Sequence, residues 1–127
     1  MKRKVESAPP REKGVKFVLR PYRRIPTWYH SYYLSGHLIG KGVVMNLSRT
    51  GLRVLGEHSV KPGTELSIRF NVEENGAPVE ISRASVCWID HYEFGLKFDY
   101  VTPEAAHRIA GLINDHIAAR PVHSHSL

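Results

Sequence analysis

Several familiar chemistries lack their residues here. Cys87 is the single cysteine in 127 residues, which excludes an internal disulfide and fits a reducing compartment. Among the 8 histidines, none joins Cys87 in a second Cys/His pair at zinc-site spacing. His91 follows Cys87 across a turn, His123 and His125 fall near the C-terminus, and His107 and His116 are too far apart on one helix to share adjacent turns. No metal or other cofactor is expected. No P-loop, nucleophile elbow or His/Asp/Ser constellation offers a catalytic residue, so the reading is not an enzyme. There is no apolar run of about 18 residues to span a bilayer, and no basic start leading into the apolar core of a signal peptide. A cytoplasmic protein without membrane insertion is therefore expected.

Acidic residues are also in short supply, 12 against 18 Lys+Arg, which gives a formal net charge of +6 and a pI near 9.7. Such a balance points to anionic partners without choosing among nucleic acid, nucleotides, acidic membranes and acidic proteins. The excess is local: the basic residues from Lys2 to Arg24 face only Glu6 and Glu12. A hydrophobic share of 42% and a charged share of 24% are ordinary for one globular domain with its own core. Residues 1–16 carry Pro9-Pro10 and no sustained period, and read as a flexible basic tail. The domain is expected over 17–119, with a second flexible tail over 120–127.

Along the domain the pattern is that of short strands. Pro21 and Pro26 bracket an arginine cluster and disfavour helix at Arg20 and Ile25, so the cluster reads as an extended arm. From Thr27 to Ser35, alternation sets Trp28, His30, Tyr32 and Leu34 against Tyr29, Ser31 and Tyr33, a strand with both faces partly covered. A second strand runs from His37 to Met45, where Gly40 and Gly42 suggest a bulge or a close backbone approach. Asn46 to Gly51 is a tight connection, and Leu52 and Val54 resume a third strand. Lys61-Pro62-Gly63-Thr64 has the residues of a type II turn. Leu66, Ile68 and Phe70 alternate in a fourth strand, and Asn75-Gly76 favours a hairpin connection. The fifth strand shifts phase between Ile81 and Ala84, predicting a bulge near Ser82 or Arg83, and carries Trp88 on the inward phase. Tyr92, Phe94, Leu96 and Phe98 form a sixth. Thr102-Pro103-Glu104 starts a helix as N-cap, first helical residue and dipole-compatible acid. Ala105, Ala106, Ile109, Leu112, Ile113 and Ile117 give it an apolar stripe to dock on the sheet or cap a barrel end. The fold class is all-β with a terminal helix, a six-stranded antiparallel β-barrel plus a C-terminal α-helix; a two-sheet sandwich fits nearly as well.

Two segments carry candidate binding groups: Arg20-x-x-x-Arg24, and Asn46-x-Ser48-x-x-Gly51 further on. Together and in this order they resemble the two-part signature of PilZ domains. Val86-Cys87-Trp88, Gly95-Leu96-Lys97-Phe98 and the final helix are similar to that family's closing elements. The resemblance runs from Leu19 to Ala119 and suggests a stand-alone, single-domain member. It implies binding of the bacterial second messenger cyclic di-GMP, with the arginine pair on Arg20 and Arg24, the turn positions on Asn46, Ser48 and Gly51, and Trp88 beside the ligand. Arg23 is a further basic candidate, and Leu19, just before the first motif arginine, favours one ligand molecule over an intercalated pair.

The residue types suit such a ligand. An arginine fork pairs with phosphate or with guanine O6 and N7, and its face stacks on a purine. Asn46 can accept from a guanine N–H and also donate. Ser48 can satisfy another polar ligand atom, and Gly51 permits positive φ or close backbone approach. The expected function is a sensor in which ligand reorders the N-terminal arm and signals to an unidentified downstream protein. Taken singly, these residues would be a solvated charge run and ordinary turn residues. One alternative is a small barrel binding single-stranded nucleic acid, with Trp28, Tyr29, Tyr32 or Tyr33 as stacking platforms. The other is a ligand-free PilZ-like adaptor.

Overall fold

The computed structural model describes residues 23–119. The expected tails at 1–16 and 120–127, the domain start at 17, and Arg20 lie outside the described residues. Six strands, β1 (Ile25–Ser35), β2 (Leu38–Leu47), β3 (Gly51–Gly56), β4 (Glu65–Phe70), β5 (Val79–Asp90) and β6 (Glu93–Tyr100), precede one helix, α1 (Pro103–Ala119). Every neighbouring pair is antiparallel, in the order β1-β2-β3-β6-β5-β4, and β1 pairs with β4 through Ser31↔Phe70 to Leu34↔Ser67. That last ladder decides for a closed barrel over the sandwich and leaves no sheet edge unpaired. None of the described helices is long and apolar enough to cross a membrane.

Alternation fills the barrel. Leu66, Ile68 and Phe70 from β4 meet Val79, Ile81, Ala84 and Val86 from β5, Phe94 and Leu96 from β6, and Val44, Leu47, Leu52 and Val54 from β2 and β3, all buried. On β1 only the Tyr29, Ser31, Tyr33 phase turns inward: Tyr33 is fully buried and Tyr29 stacks on Phe70 at 5.6 Å. The other face is largely exposed, Trp28 at 62% and Tyr32 at 49%, where the sequence suggests partial cover of both faces. Burial also removes Tyr33 as a stacking platform, and the half-buried Tyr29 is already stacked on Phe70. The Tyr33 hydroxyl donates to the His58 carbonyl at 3.1 Å and accepts from the His58 N–H at 3.0 Å, so its burial leaves no unpaired polar group. Its ring occupies the space a Cβ would need at Gly40 and at Gly56. Gly40 therefore serves a close approach and not a bulge.

The turns follow their residues. Gly63 has φ +83° and the Thr64 N–H bonds the Lys61 carbonyl at 3.1 Å, the geometry of a type II turn. The β4–β5 connection is longer than a two-residue hairpin, and Gly76 N–H reaches back to the Glu73 carbonyl at 3.3 Å. The Thr102 hydroxyl accepts the Ala105 N–H at 3.1 Å, capping α1 as its sequence predicts. Ala105, Ile109 and Ile113 bury the helix against the barrel beside β5, whereas Ala106 is exposed. Arg108 Nη1 fastens α1 to the start of β5 through the Pro78 carbonyl at 3.0 Å.

Candidate ligand-binding face

Strict alternation would hide two of the candidate residues, and bulges turn both outward. In β2, Val44 pairs with Val54 but Asn46 pairs with Arg53, so Met45 is an extra residue and Asn46 leaves the inward phase. In β5, Val86 pairs with Leu96 but Trp88 pairs with Gly95, so Cys87 is the extra residue there. Trp88 is consequently 39% exposed, which corrects the expectation that it faces inward. A further shift in the same strand falls at Ser82–Arg83, where Ile81 pairs with Ile68 and Ala84 with Leu66, as the sequence predicts.

The result is a row across four strands on the barrel exterior. Asn46 on β2 pairs with Arg53 on β3, Arg53 with Gly95 on β6, and Gly95 with Trp88 on β5. Side chains opposite one another in antiparallel strands share a face, and neighbouring strands lie roughly 4.8 Å apart. The missing side chain at Gly95 is what the indole needs: a Cβ there would collide with the Trp88 ring. Trp88 therefore lies across Gly95 with part of its surface open to solvent.

At the Asn46 end of the row the arginine arm arrives. Arg24 Nη1 donates to Asn46 Oδ1 at 3.5 Å, a long contact, and both Arg23 and Arg24 are exposed. Asn46 itself lies at the end of β2, paired with Pro26, and not in the connection where the sequence places it. The connection is organised by Ser48, which is 2% exposed. Its hydroxyl accepts the Thr50 and Gly51 N–H groups, each at 3.2 Å, and its own N–H bonds the Gly51 carbonyl at 2.8 Å. Ser48 thus holds the turn rather than projecting from it. Gly51 opens β3 pressed so closely on the Leu96 carbonyl that a Cβ would not fit, which settles its role as close approach.

Arg24, Arg53 and Lys97 make the face cationic. Cys87 is an exposed residue, but partial desolvation of its thiol pushes it up from its ordinary pKa, while the positive charges of Arg24 and Lys97 pull it the other way. Lys97 sits between Gly51 and Ser85, along the strand from Gly95. Arg53 is the residue that the sequence reading missed; its signal is its place on the same outward phase of β3 as Gly51, next to Asn46. A surface hollow of about 280 Å³ between Pro78 and Arg108 lies elsewhere. No group of three His, Cys, Asp or Glu residues suited to a metal occurs among the described residues.

A family model for the PilZ domain matches residues 19–115. Among solved structures, the chain is similar to the Bacillus subtilis inhibitor of motility, MotI/DgrA, with 19% identity and a TM-score of 0.67 over 88% of this chain and 58% of that one. The PilZ domain of CeSA from a cellulose-synthesizing bacterium gives 18% identity and a TM-score of 0.59 over 73% of this chain and 96% of that one. The PilZ domain of Escherichia coli YcgR, solved with c-di-GMP, gives 18% and 0.58 over 76% and 89%. At such identities the likeness is one of fold. This chain spans just 58% of the MotI chain. No curated protein sequence matches it significantly.

Proposed function

The chain belongs to the PilZ domain family, and from that premise we propose that it is a cyclic di-GMP receptor whose ligand lies on the face formed by Asn46, Gly51, Gly95 and Trp88. The observation that carries this reading is the bulge-made row, which sets an amide, a guanidinium and an indole side by side with Arg24 reaching in from the arm. Cyclic di-GMP carries two phosphates and two guanines, and each group of the row has a matching task. Trp88 offers a stacking surface, worth about 1–3 kcal/mol per base. Asn46 accepts from and donates to a guanine edge. Arg24, with Arg20 and Arg23 of the same segment, supplies charge and planar forks for phosphate and purine. Ser48 contributes through the turn that fixes Asn46 and Gly51.

Signalling follows from the different origins of the two halves. The turn is locked by its own hydrogen bonds and the barrel, while Arg23 and Arg24 precede β1 and lie outside the sheet. Ligand that binds more tightly to one arm arrangement shifts the population toward it, and a protein partner reads the difference. The similar structures accord with this: the YcgR PilZ domain was solved with c-di-GMP, and MotI is an inhibitor of motility. The role is that of a cytoplasmic regulatory receptor, not an enzyme. Calorimetry with cyclic di-GMP tests it: saturable binding that Arg24→Ala or Ser48→Ala sharply weakens is expected, and absence of heat at high ligand concentration overturns it.

A second reading, binding of single-stranded nucleic acid, is favoured by the exposure of Trp28 and Tyr32 on the outside of β1. It expects steeply salt-dependent binding that survives Asn46→Ala.

A further inference from the structure

Among the described residues, no hydrogen bond gives the buried Arg53 Nε a structural task. The acid beside it, Glu93 Oε1, is 3.8 Å away, an ion-pair distance beyond hydrogen-bond reach. Half-exposed pairs of that kind contribute little to stability. The guanidinium is therefore steered by Glu93 without being consumed by it.

Its place in the row gives it a use. Trp88 lies across Gly95, and Arg53 is the residue opposite Gly95 on the other side. A purine stacked on the exposed indole surface extends over β6 and presents an edge toward β3, roughly one strand spacing away. Lys97 is displaced along the strand from this row, where it suits phosphate better than a base edge.

We infer that Arg53 is a specificity-determining residue of this face, its fork donating to O6 and N7 of a guanine stacked on Trp88. The inference rests on the cyclic di-GMP reading above. Guanine offers two adjacent acceptors on that edge, whereas adenine places an N6 amino donor beside N7, so the same fork meets a donor where it needs an acceptor. Charge alone would not separate the two bases, because their cyclic dinucleotides carry the same phosphates.

The test is a calorimetric titration of the full chain with cyclic di-GMP and, separately, cyclic di-AMP, for the wild type, Arg53→Met and Arg53→Lys, each checked by circular dichroism for the intact barrel. The wild type is expected to prefer cyclic di-GMP. Arg53→Met is expected to lose about 10- to 100-fold for cyclic di-GMP and to leave cyclic di-AMP unchanged, so that the preference collapses. Arg53→Lys, which keeps the charge and loses the planar fork, is expected to lose most of the preference as well. Equal losses for both ligands would make Arg53 a phosphate contact and overturn the inference while sparing the receptor reading, as would a preference retained in both variants. Failure of the wild type to bind cyclic di-GMP removes the receptor reading and this inference with it.

Discussion

Ser48 shows how a motif residue can act without facing a ligand. Its hydroxyl holds the N–H groups of Thr50 and Gly51, so Ser48→Ala leaves two donors in and near a buried turn unpaired. A cost of about 1–3 kcal/mol is expected, read as a lower urea midpoint with an unchanged slope. Weaker ligand binding should accompany it, because Asn46 and Gly51 lose the frame that sets them. Cys87 offers a native reporter beside the same face. With partial desolvation favouring its neutral form, the folded thiol should react with iodoacetamide more slowly at mildly alkaline pH than the same thiol in urea. Saturating cyclic di-GMP should slow it further, by covering it and neutralising the charges of Arg24 and Lys97; an unchanged alkylation rate would place the ligand away from Trp88.

At the scale of elements the bulges matter most. One extra residue at Met45 and one at Cys87 turn Asn46 and Trp88 from core to surface, and Gly95 gives the indole its bed. Gly95→Ala should push the indole aside while leaving the barrel intact, since the obstructing atoms belong to an exposed side chain. A shifted tryptophan emission and several-fold weaker binding are expected, with a melting temperature close to the wild type. Thr102→Ala should do the reverse, lowering stability by about 1 kcal/mol through the lost cap and leaving ligand affinity unchanged.

These elements differ in how plainly the sequence announces them. The alternation of Leu66, Ile68 and Phe70, the Pro62-Gly63 turn, the Thr102 cap and the phase shift after Ile81 each have one physical reading, and the fold has the same. The bulge at Cys87 is hidden because Val86 and Trp88 are both apolar, so either could face the core and hydrophobicity does not mark the change of phase. Only Gly95, isolated between Phe94 and Leu96, hints that something crosses that strand. The bulge at Met45 is masked likewise, since Asn46 reads as a turn residue. Arg53 carries no mark in the sequence because an outward arginine on a strand is usually just solvated; its meaning comes from its neighbours across the sheet, which a linear pattern does not display.

For the whole molecule, the proposal makes the closed barrel the support and the arm that carries Arg23 and Arg24 the part that responds to ligand. Closure of β1 on β4 ties all six strands into one core, so a ligand on the exterior face has little leverage on the barrel itself. On the proposed function, the change that a partner reads is therefore assigned to the arm that carries Arg23 and Arg24. Turn variants should lower affinity, whereas arm variants should lower affinity and also uncouple the response; the two are separable by comparing binding with limited proteolysis of the segment before Ile25.

The most direct test of the central claim is a titration of the isotopically labelled chain with cyclic di-GMP, followed by amide shifts in nuclear magnetic resonance spectra. The account predicts saturable shifts concentrated at Asn46 to Arg53, Gly95 and the Trp88 indole N–H, together with shifts at Arg23 and Arg24. Saturable shifts confined instead to the far side of the barrel around Tyr32 and Ile39, or none at all, would contradict it.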